Sequence, residues 1–201
     1  RLLRVNWLDN ANLRRCKLAP SHRFKDVFES GIGLTEASQA FPVMYDWVIP
    51  NAGVSVVGEV YMVPDPDSVR IVPWNLKHAI SMGDIMKGTV DGVNPWVHCP
   101  RSFLKEVIRD FKEETGLDVL CGVENEFVLV REDKSPADQT CYALTAAVDE
   151  NAEFLDELVL TLDKMDIPLW HLHPESSKGQ FEFVLQHTDP VTYVSSCFFN
   201  Y

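Results

Sequence analysis

Two glutamates that lie two residues apart, Glu124 and Glu126, occur in a segment whose apolar and β-favouring residues predict a strand. Side chains alternate between the two faces of a strand, so both carboxylates are expected on the same face. We expect this strand to be buried, and two like charges there are costly unless a positive group lies between them. A metal ion is the simplest such group.

A second acidic pair follows later in the chain. Glu175 lies in a polar loop that ends at Gly179, and Glu182 lies in the strand candidate Gln180 to Gln186. Four glutamates on adjacent strand ends would make an all-oxygen site, which favours Mg²⁺ or Mn²⁺ over zinc. The alternative is that these carboxylates pair with arginines or face solvent at the end of a sheet.

The predicted helices and strands around these glutamates fall into two parts. Residues 1 to 95 are predicted to form a small mixed sheet with one helix. Its first hairpin joins strands at Leu2–Leu8 and Leu13–Leu18, and Ser21 is the expected N-cap of the helix. The turn-forming stretch 92–95 is predicted to be a linker.

The second part, residues 96 to 190, alternates amphipathic helices with strands. Apolar residues recur at helical spacing over 102–115 and 152–165. Strands are predicted over 119–131 and 169–173, so the fold class is α+β. The last stretch, 191–201, is uncharged and aromatic, and is atypical of the rest.

Composition narrows the function classes. The net charge of −12 argues against nucleic acid or an anionic membrane as the main partner, because both require a basic surface. No apolar run is long enough to span a membrane. Five scattered cysteines without CxxC spacing indicate reduced thiols and a cytoplasmic location. The first residue is Arg1 and not Met, so we expect a piece of a longer chain.

An ordered set of short motifs resembles the glutamine synthetase superfamily, in its branch of plant nodulin-type and fungal developmental proteins. The motifs are Trp7-Leu8-Asp9, Arg15-Cys16-Lys17, Gly58 to Pro66, Pro73-Trp74, Cys99-Pro100-Arg101, Gly122 to Phe127 and Glu175 to Glu182. The resemblance runs from Leu3 to about Pro190.

This resemblance implies an N-terminal β-grasp domain over residues 1–95. The first part of a catalytic domain with a curved antiparallel sheet follows over 96–190. It further implies that Glu126, Glu175 and Glu182 share one metal ion on the carboxylate-substrate side. Glu124 would bind a second metal ion that holds the nucleotide phosphates.

The implied reaction is ATP-dependent ligation of a glutamate γ-carboxylate to ammonia or an amine through an acyl phosphate. Asp46 is the nearest counterpart of the family's ammonia-pocket aspartate, which a neighbouring subunit supplies within a ring. The Gly and Ser that follow it in the family are absent here, so another amine is an open alternative. A plain turn residue is an equally open assignment for Asp46.

Two further alternatives stay open at this point. The family's catalytic domain continues for about another half-domain, so we expect an incomplete active site and no stable ring from this chain. A non-catalytic module that binds metal or acts through assembly is the alternative function. His171 and His173 share one strand face beside Glu175, which would suit zinc; the resemblance makes this segment only the strand that leads into the Glu175 loop.

Overall fold

The computed structural model describes residues 1–45, 47–89 and 92–197. The chain divides into two compact units. The first comprises Arg1–Val119 together with the segment that begins at Pro190, and the second comprises Leu120–Asp189. Each unit mixes strands and helices, which confirms the α+β class. Within the described ranges, no helix is long and apolar enough to cross a membrane.

The first unit is built on one mixed sheet. Its elements are β1 (Leu2–Leu8), β2 (Arg14–Pro20), α1 (Phe24–Ser30), β3 (Ile32–Thr35), β4 (Glu59–Pro64), β5 (Arg70–Ile71), β6 (His78–Thr89), β7 (Gly92–Pro95), α2 (Pro100–Thr115) and α5 (Pro190–Cys197). The strand order is β2-β1-β6-β4-β3, and β5 and β7 also pair with β6.

The predicted first hairpin is confirmed, since β1 and β2 pair antiparallel with Leu8 opposite Arg14. The long strand β6 organises the rest of the sheet and has no counterpart in the sequence prediction. Its first half pairs parallel with β1, and its second half pairs antiparallel with β4. Leu3, Val5 and Val60 point from these strands into the core and are at most 1% exposed.

Two local predictions in this unit are wrong. Residues 92–95 form β7, with Pro95 opposite Met86, instead of a free linker. Ser21 begins a short 3-10 turn whose N-cap is Pro20, and no side chain caps it. The compact unit extends past residue 95 to Val119, and the sequence-based domain boundary at 95 stays a prediction.

A largely buried arginine, Arg101, connects α2 and α5 within the first unit. Arg101, in the first turn of α2, donates hydrogen bonds to Asp65 at 2.5 Å and to Asp84 at 2.6 Å. It also donates to the Ser195 hydroxyl of α5 at 3.2 Å. Lys105, one turn further along α2, reaches the Asp84 carboxylate at 2.5 Å. The loop after β4, strand β6 and α2 therefore share one ion cluster, and α5 joins it through the Ser195 hydroxyl.

The second unit contains a three-stranded antiparallel sheet in the order β8-β10-β9. Its elements are β8 (Glu124–Val128), α3 (Thr145–Glu150), α4 (Ala152–Lys164), β9 (Leu169–Pro174) and β10 (Gln180–Leu185). One face of the sheet carries Phe127 and Phe181, which pack with Ala147 of α3 and Leu155 of α4. Because alternate residues point to opposite faces, the other face receives the polar side chains.

Candidate metal centre

The polar face of the second sheet carries two rows of side chains that cross the strands. In the first row, Glu126 of β8 lies opposite Glu182 of β10, and Glu182 lies opposite His173 of β9. In the second row, Val184 of β10 lies between Glu124 of β8 and His171 of β9. Side chains that lie opposite each other share a face, so acids and imidazoles meet on one surface.

The burial of these glutamates differs from the sequence-based expectation. Strand β8 lies at the edge of the sheet, and both Glu124 and Glu126 are exposed, so the prediction of a buried strand is wrong for them. Glu182 on the central strand is the buried carboxylate, at 7% exposure. The cost of burying a charge without a partner therefore falls on Glu182.

Two of the other carboxylates, those of Glu126 and Glu175, have hydrogen-bond donors. Gln180 donates its side-chain N–H to Glu126 across the strands. Glu175 accepts from the Ser176 backbone N–H at 2.6 Å and lies 3.3 Å from His173 Nε2. The hydrogen bonds from Ser176, followed by the contact with His173, lower the pKa of Glu175 despite some desolvation. Glu175 is therefore ionised at neutral pH.

The tightest group of possible ligand atoms differs from the predicted set of four glutamates. Among the residues that the structure describes, His171, His173 and Glu182 have one ligand atom each within 4.8 Å of the others. Glu182 belongs both to the predicted set of four glutamates and to this group. Glu124 and Glu126 lie on the same sheet face, and Glu175 lies at the end of β9. The alternation of His171 and His173 was the sequence signal for the imidazoles.

A tight turn at Gly179 links the Glu175 loop to β10. Gly179 has φ +70°, and a Cβ there would lie 2.6 Å from the carbonyl oxygen of Leu129. Its N–H donates to the buried carboxylate of Asp138 at 3.0 Å, and Asp138 also accepts from Thr140. Asp138 thus joins the loop after β8 to the loop that carries Glu175, a role that nothing in the local sequence pattern indicated.

Asp46, the predicted counterpart of the ammonia-pocket aspartate, lies outside the described residues.

Comparison with known proteins identifies the family. Residues 97–198 match the sequence model described as the catalytic domain of glutamine synthetase. The chain belongs to the glutamine synthetase family. The match continues past Pro190 through helix α5, so the expectation that the family resemblance ends near Pro190 is wrong. Strands β8, β9 and β10, which carry the acidic and imidazole rows, all lie within the matched glutamine synthetase region.

Curated relatives in the glutamine synthetase family support the assignment at low identity. The γ-glutamylanilide synthase of an Acinetobacter species is 27% identical over 65% of this chain and 28% of its own length. Type-1 glutamine synthetase 1 of Dictyostelium discoideum is 23% identical over 94% of this chain and 42% of its own length. The protein FluG of Emericella nidulans is 25% identical over 96% of this chain and 23% of its own length.

Solved structures show the same fold. Ligand-free GmaS superposes with a TM-score of 0.81 and 21% identity, covering 98% of this chain and 45% of GmaS. A structure described as a novel glutamine synthase homologue gives a TM-score of 0.81, with 100% of this chain and 46% of the homologue covered. The chain thus spans less than half the length of each of these relatives.

Proposed function

We propose that this chain forms part of an ATP-dependent ligase that joins the γ-carboxylate of glutamate to ammonia or an amine. Membership of the glutamine synthetase family supports a ligase-like function. The proposal rests mainly on the pairing of β8 with β10. This register sets Glu126 directly opposite Glu182, with Glu124 on the same face. Carboxylates gathered on one sheet face are suited to divalent cations that bind nucleotide phosphates.

The residues present fit such a cation. Glu182 is 7% exposed, and within the described part of the chain no hydrogen bond or ion pair reaches its carboxylate, whose oxygens are not completely buried. We propose that Glu126, Glu175 and Glu182 hold one Mg²⁺ or Mn²⁺ ion and that Glu124 contributes to a second. When bound, these ions would neutralise phosphate charge and so assist formation of an acyl phosphate.

The chain's own side chains prepare this surface. Gln180 orients the Glu126 carboxylate by donating to it, and the Ser176 N–H keeps Glu175 in its ionised form. Asp138 and Gly179 fix the turn between Glu175 and the central strand. The proposed role of these contacts is to hold the carboxylates in place before a cation arrives, which lowers the entropic cost of binding.

The amine acceptor and the assembly belong to the same proposal. One relative is named a γ-glutamylanilide synthase and others are named glutamine synthetases, and both names denote γ-glutamyl amide products. We propose ammonia or an amine as acceptor, with Asp46 contacting it. We further propose that the first sheet with α1 is a β-grasp domain and that the whole protein assembles into a homo-oligomeric ring.

The test combines metal binding with trapping of the acyl phosphate. Mn²⁺ binding is followed by electron paramagnetic resonance for the wild-type chain, for Glu182→Gln and for Glu157→Gln, an exposed control on α4. We expect Glu182→Gln to lose Mn²⁺ and the control to bind as wild type. Equal Mn²⁺ binding by all three chains would refute the ligand assignment.

Trapping of the acyl phosphate with hydroxylamine tests the proposed ligase activity. The whole protein, incubated with ATP, glutamate and hydroxylamine, should form γ-glutamyl hydroxamate, and Glu182→Gln should abolish it. For the chain of 201 residues alone we expect Mn²⁺ binding without hydroxamate. Absence of hydroxamate from the whole protein, with Mn²⁺ binding intact, would favour the non-catalytic metal-binding module.

A further inference from the structure

His171 and His173 place two imidazoles on the same sheet face as Glu182. His173 lies opposite Glu182 in the antiparallel register of β9 and β10, and His171 precedes it by two residues. One ligand atom from each of the three side chains lies within 4.8 Å of the other two. This separation allows all three to reach a single ion with small side-chain adjustments.

The burial of Glu182 favours a bound cation here, as it does for the proposed Mg²⁺ or Mn²⁺ set. The residue is 7% exposed, and no hydrogen bond or ion pair to its carboxylate occurs within the described ranges, although its oxygens are not among the completely buried atoms that lack a partner. A buried carboxylate without a donor is unfavourable, whereas a bound cation would compensate its charge. On strand β9, the possible cation ligands beside Glu182 are the two imidazoles; on the other neighbouring strand, Glu126 lies directly opposite Glu182.

The imidazoles are restrained by their surroundings. The His171 and His173 rings stack with centroids 5.7 Å apart, and Tyr142 contacts His173 edge-on at 5.3 Å. Glu175 lies 3.3 Å from His173 Nε2. A carboxylate beside a histidine is the usual outer-shell partner that orients a metal-binding imidazole.

The donor set decides the class of metal. Imidazole suits Zn²⁺, Co²⁺ and Ni²⁺, whereas Mg²⁺ takes oxygen ligands. Two histidines and one glutamate also match the ligand composition of known three-residue zinc sites with an open fourth position. We propose that His171, His173 and Glu182 bind a transition-metal ion of the Zn²⁺ class.

This site overlaps the proposed Mg²⁺ or Mn²⁺ set at Glu182, and it differs from that set in using the imidazoles of His171 and His173 as ligands. Binding of Zn²⁺ by the two imidazoles does not require the ligase proposal to hold. If both proposals hold, Glu182 cannot coordinate Zn²⁺ and Mn²⁺ fully at the same time. Zn²⁺ should then weaken Mn²⁺ binding, and this consequence rests on the proposed function.

The experiment uses the 201-residue chain without a histidine tag, made metal-free by chelation. Co²⁺ is titrated by its ligand-field absorption and Zn²⁺ by calorimetry. The variants are His171→Asn and His173→Asn. The matched control is His187→Asn, which removes an exposed histidine of the same unit that lies outside the ligand group.

We expect one Zn²⁺ ion per chain, displacing Co²⁺, for the wild type and for His187→Asn. Each ligand variant should lose at least about tenfold in Zn²⁺ affinity, because even outer-shell changes cost about 10–100-fold. His171 is exposed, so its substitution does not disturb the core. Unchanged Zn²⁺ affinity in His171→Asn and His173→Asn, or no Zn²⁺ binding by the wild type, would overturn the proposal.

Mn²⁺ binding separates this proposal from the ligase proposal. His171→Asn should lose Zn²⁺ and keep Mn²⁺, whereas Glu126→Gln should lose Mn²⁺ and keep Zn²⁺. If Glu126→Gln left Mn²⁺ binding unchanged while His171→Asn lost Zn²⁺, the Mg²⁺ or Mn²⁺ assignment would fail and the imidazole site would stand.

Discussion

Glu126 on β8 lies directly opposite Glu182 on β10, and both carboxylates project from the same face of the sheet. Like charges opposite each other weaken the pairing of two strands. The same proximity is what a divalent cation needs to bridge the strands. The pair therefore opposes stability in the metal-free chain, and the proposed cation would reverse this effect.

We predict that Glu126→Gln changes stability and metal affinity in opposite directions. The amide oxygen can still accept from Gln180, while the repulsion with Glu182 is removed. The metal-free variant should gain about 0.2–1 kcal/mol in free energy of unfolding, the usual size of one cross-strand pair. Its Mn²⁺ affinity should fall at least about tenfold. Denaturant unfolding and a Mn²⁺ titration measure the two effects.

The control for this prediction is Glu157→Gln, which changes the net charge equally at an exposed site on α4. This control should leave the free energy of unfolding and the Mn²⁺ affinity near the wild-type values. A loss of stability in metal-free Glu126→Gln would show that the two carboxylates do not repel each other significantly.

We predict that Gly179→Ala is more destabilising than Gly116→Ala, although both glycines have left-handed φ angles of +70° and +72°. A left-handed alanine costs about 1–2 kcal/mol at either position. At Gly179 the new Cβ would also lie 2.6 Å from the Leu129 carbonyl oxygen, whereas nothing lies within 4 Å at Gly116. This overlap should add about 1–3 kcal/mol. Denaturant unfolding followed by circular dichroism compares the stabilities of the two variants. Equal losses of unfolding free energy would contradict the prediction.

Local periodicity made some of the fold predictable from the sequence. The recurrence of apolar residues over 102–115 predicts helix α2, which spans Pro100–Thr115. Strand β6 was missed because Gly83 and Gly88 interrupt it and its stability comes from pairing with strands far away in the sequence. For the same reason, 92–95 resembled a linker until its partner in β6 was known.

The candidate site, like the fold, was predictable from the sequence only in part. Alternation along one strand placed Glu124 and Glu126 on a common face. The positions of Glu182 opposite Glu126 and of His173 opposite Glu182 depend on register between strands, which hydrophobic patterning within one strand does not determine. Burial could not be inferred either, because composition does not distinguish an edge strand such as β8 from a central one.

We predict that Asp138→Asn loosens the Glu175 loop. Asp138 accepts from the N–H groups of Gly179 and Thr140, and an amide nitrogen in place of one carboxylate oxygen would face a donor. Leaving a buried donor unsatisfied costs about 1–3 kcal/mol, so unfolding should be easier by that amount, and Mn²⁺ binding should weaken.

Asp133→Asn is the matched control, because Asp133 accepts from the N–H and hydroxyl of Ser135 in the same loop but is exposed. It should change neither stability nor Mn²⁺ binding appreciably. If the two variants behaved alike in both measurements, Asp138 would have no special role at the Gly179 turn.

We predict that Arg101→Met destabilises the first unit strongly at neutral pH. The change leaves Asp65 and Asp84 without the guanidinium that contacts both carboxylates. Removing one partner from a buried ion pair typically costs about 3–5 kcal/mol when the other charge is left unpaired. Lys105 still contacts both carboxylates in this variant, so we expect a loss near the lower end of that range. Arg109→Met, which removes an exposed arginine from the same helix, should have little effect.

The loss in Arg101→Met should depend on pH in a defined direction. Burial alone would raise the pKa of Asp65, but the hydrogen bond and charge of Arg101, with the charge of Lys105, bring the pKa below its ordinary value. A carboxylate with a lowered folded-state pKa adds stability above its unfolded pKa of about 3.9, and this stability disappears as the pH falls through the folded value. The difference in unfolding free energy between wild type and Arg101→Met should therefore be constant near neutral pH and shrink below about pH 4. Urea unfolding at a series of pH values measures it, and a difference that grew on acidification would contradict the assigned pKa shift.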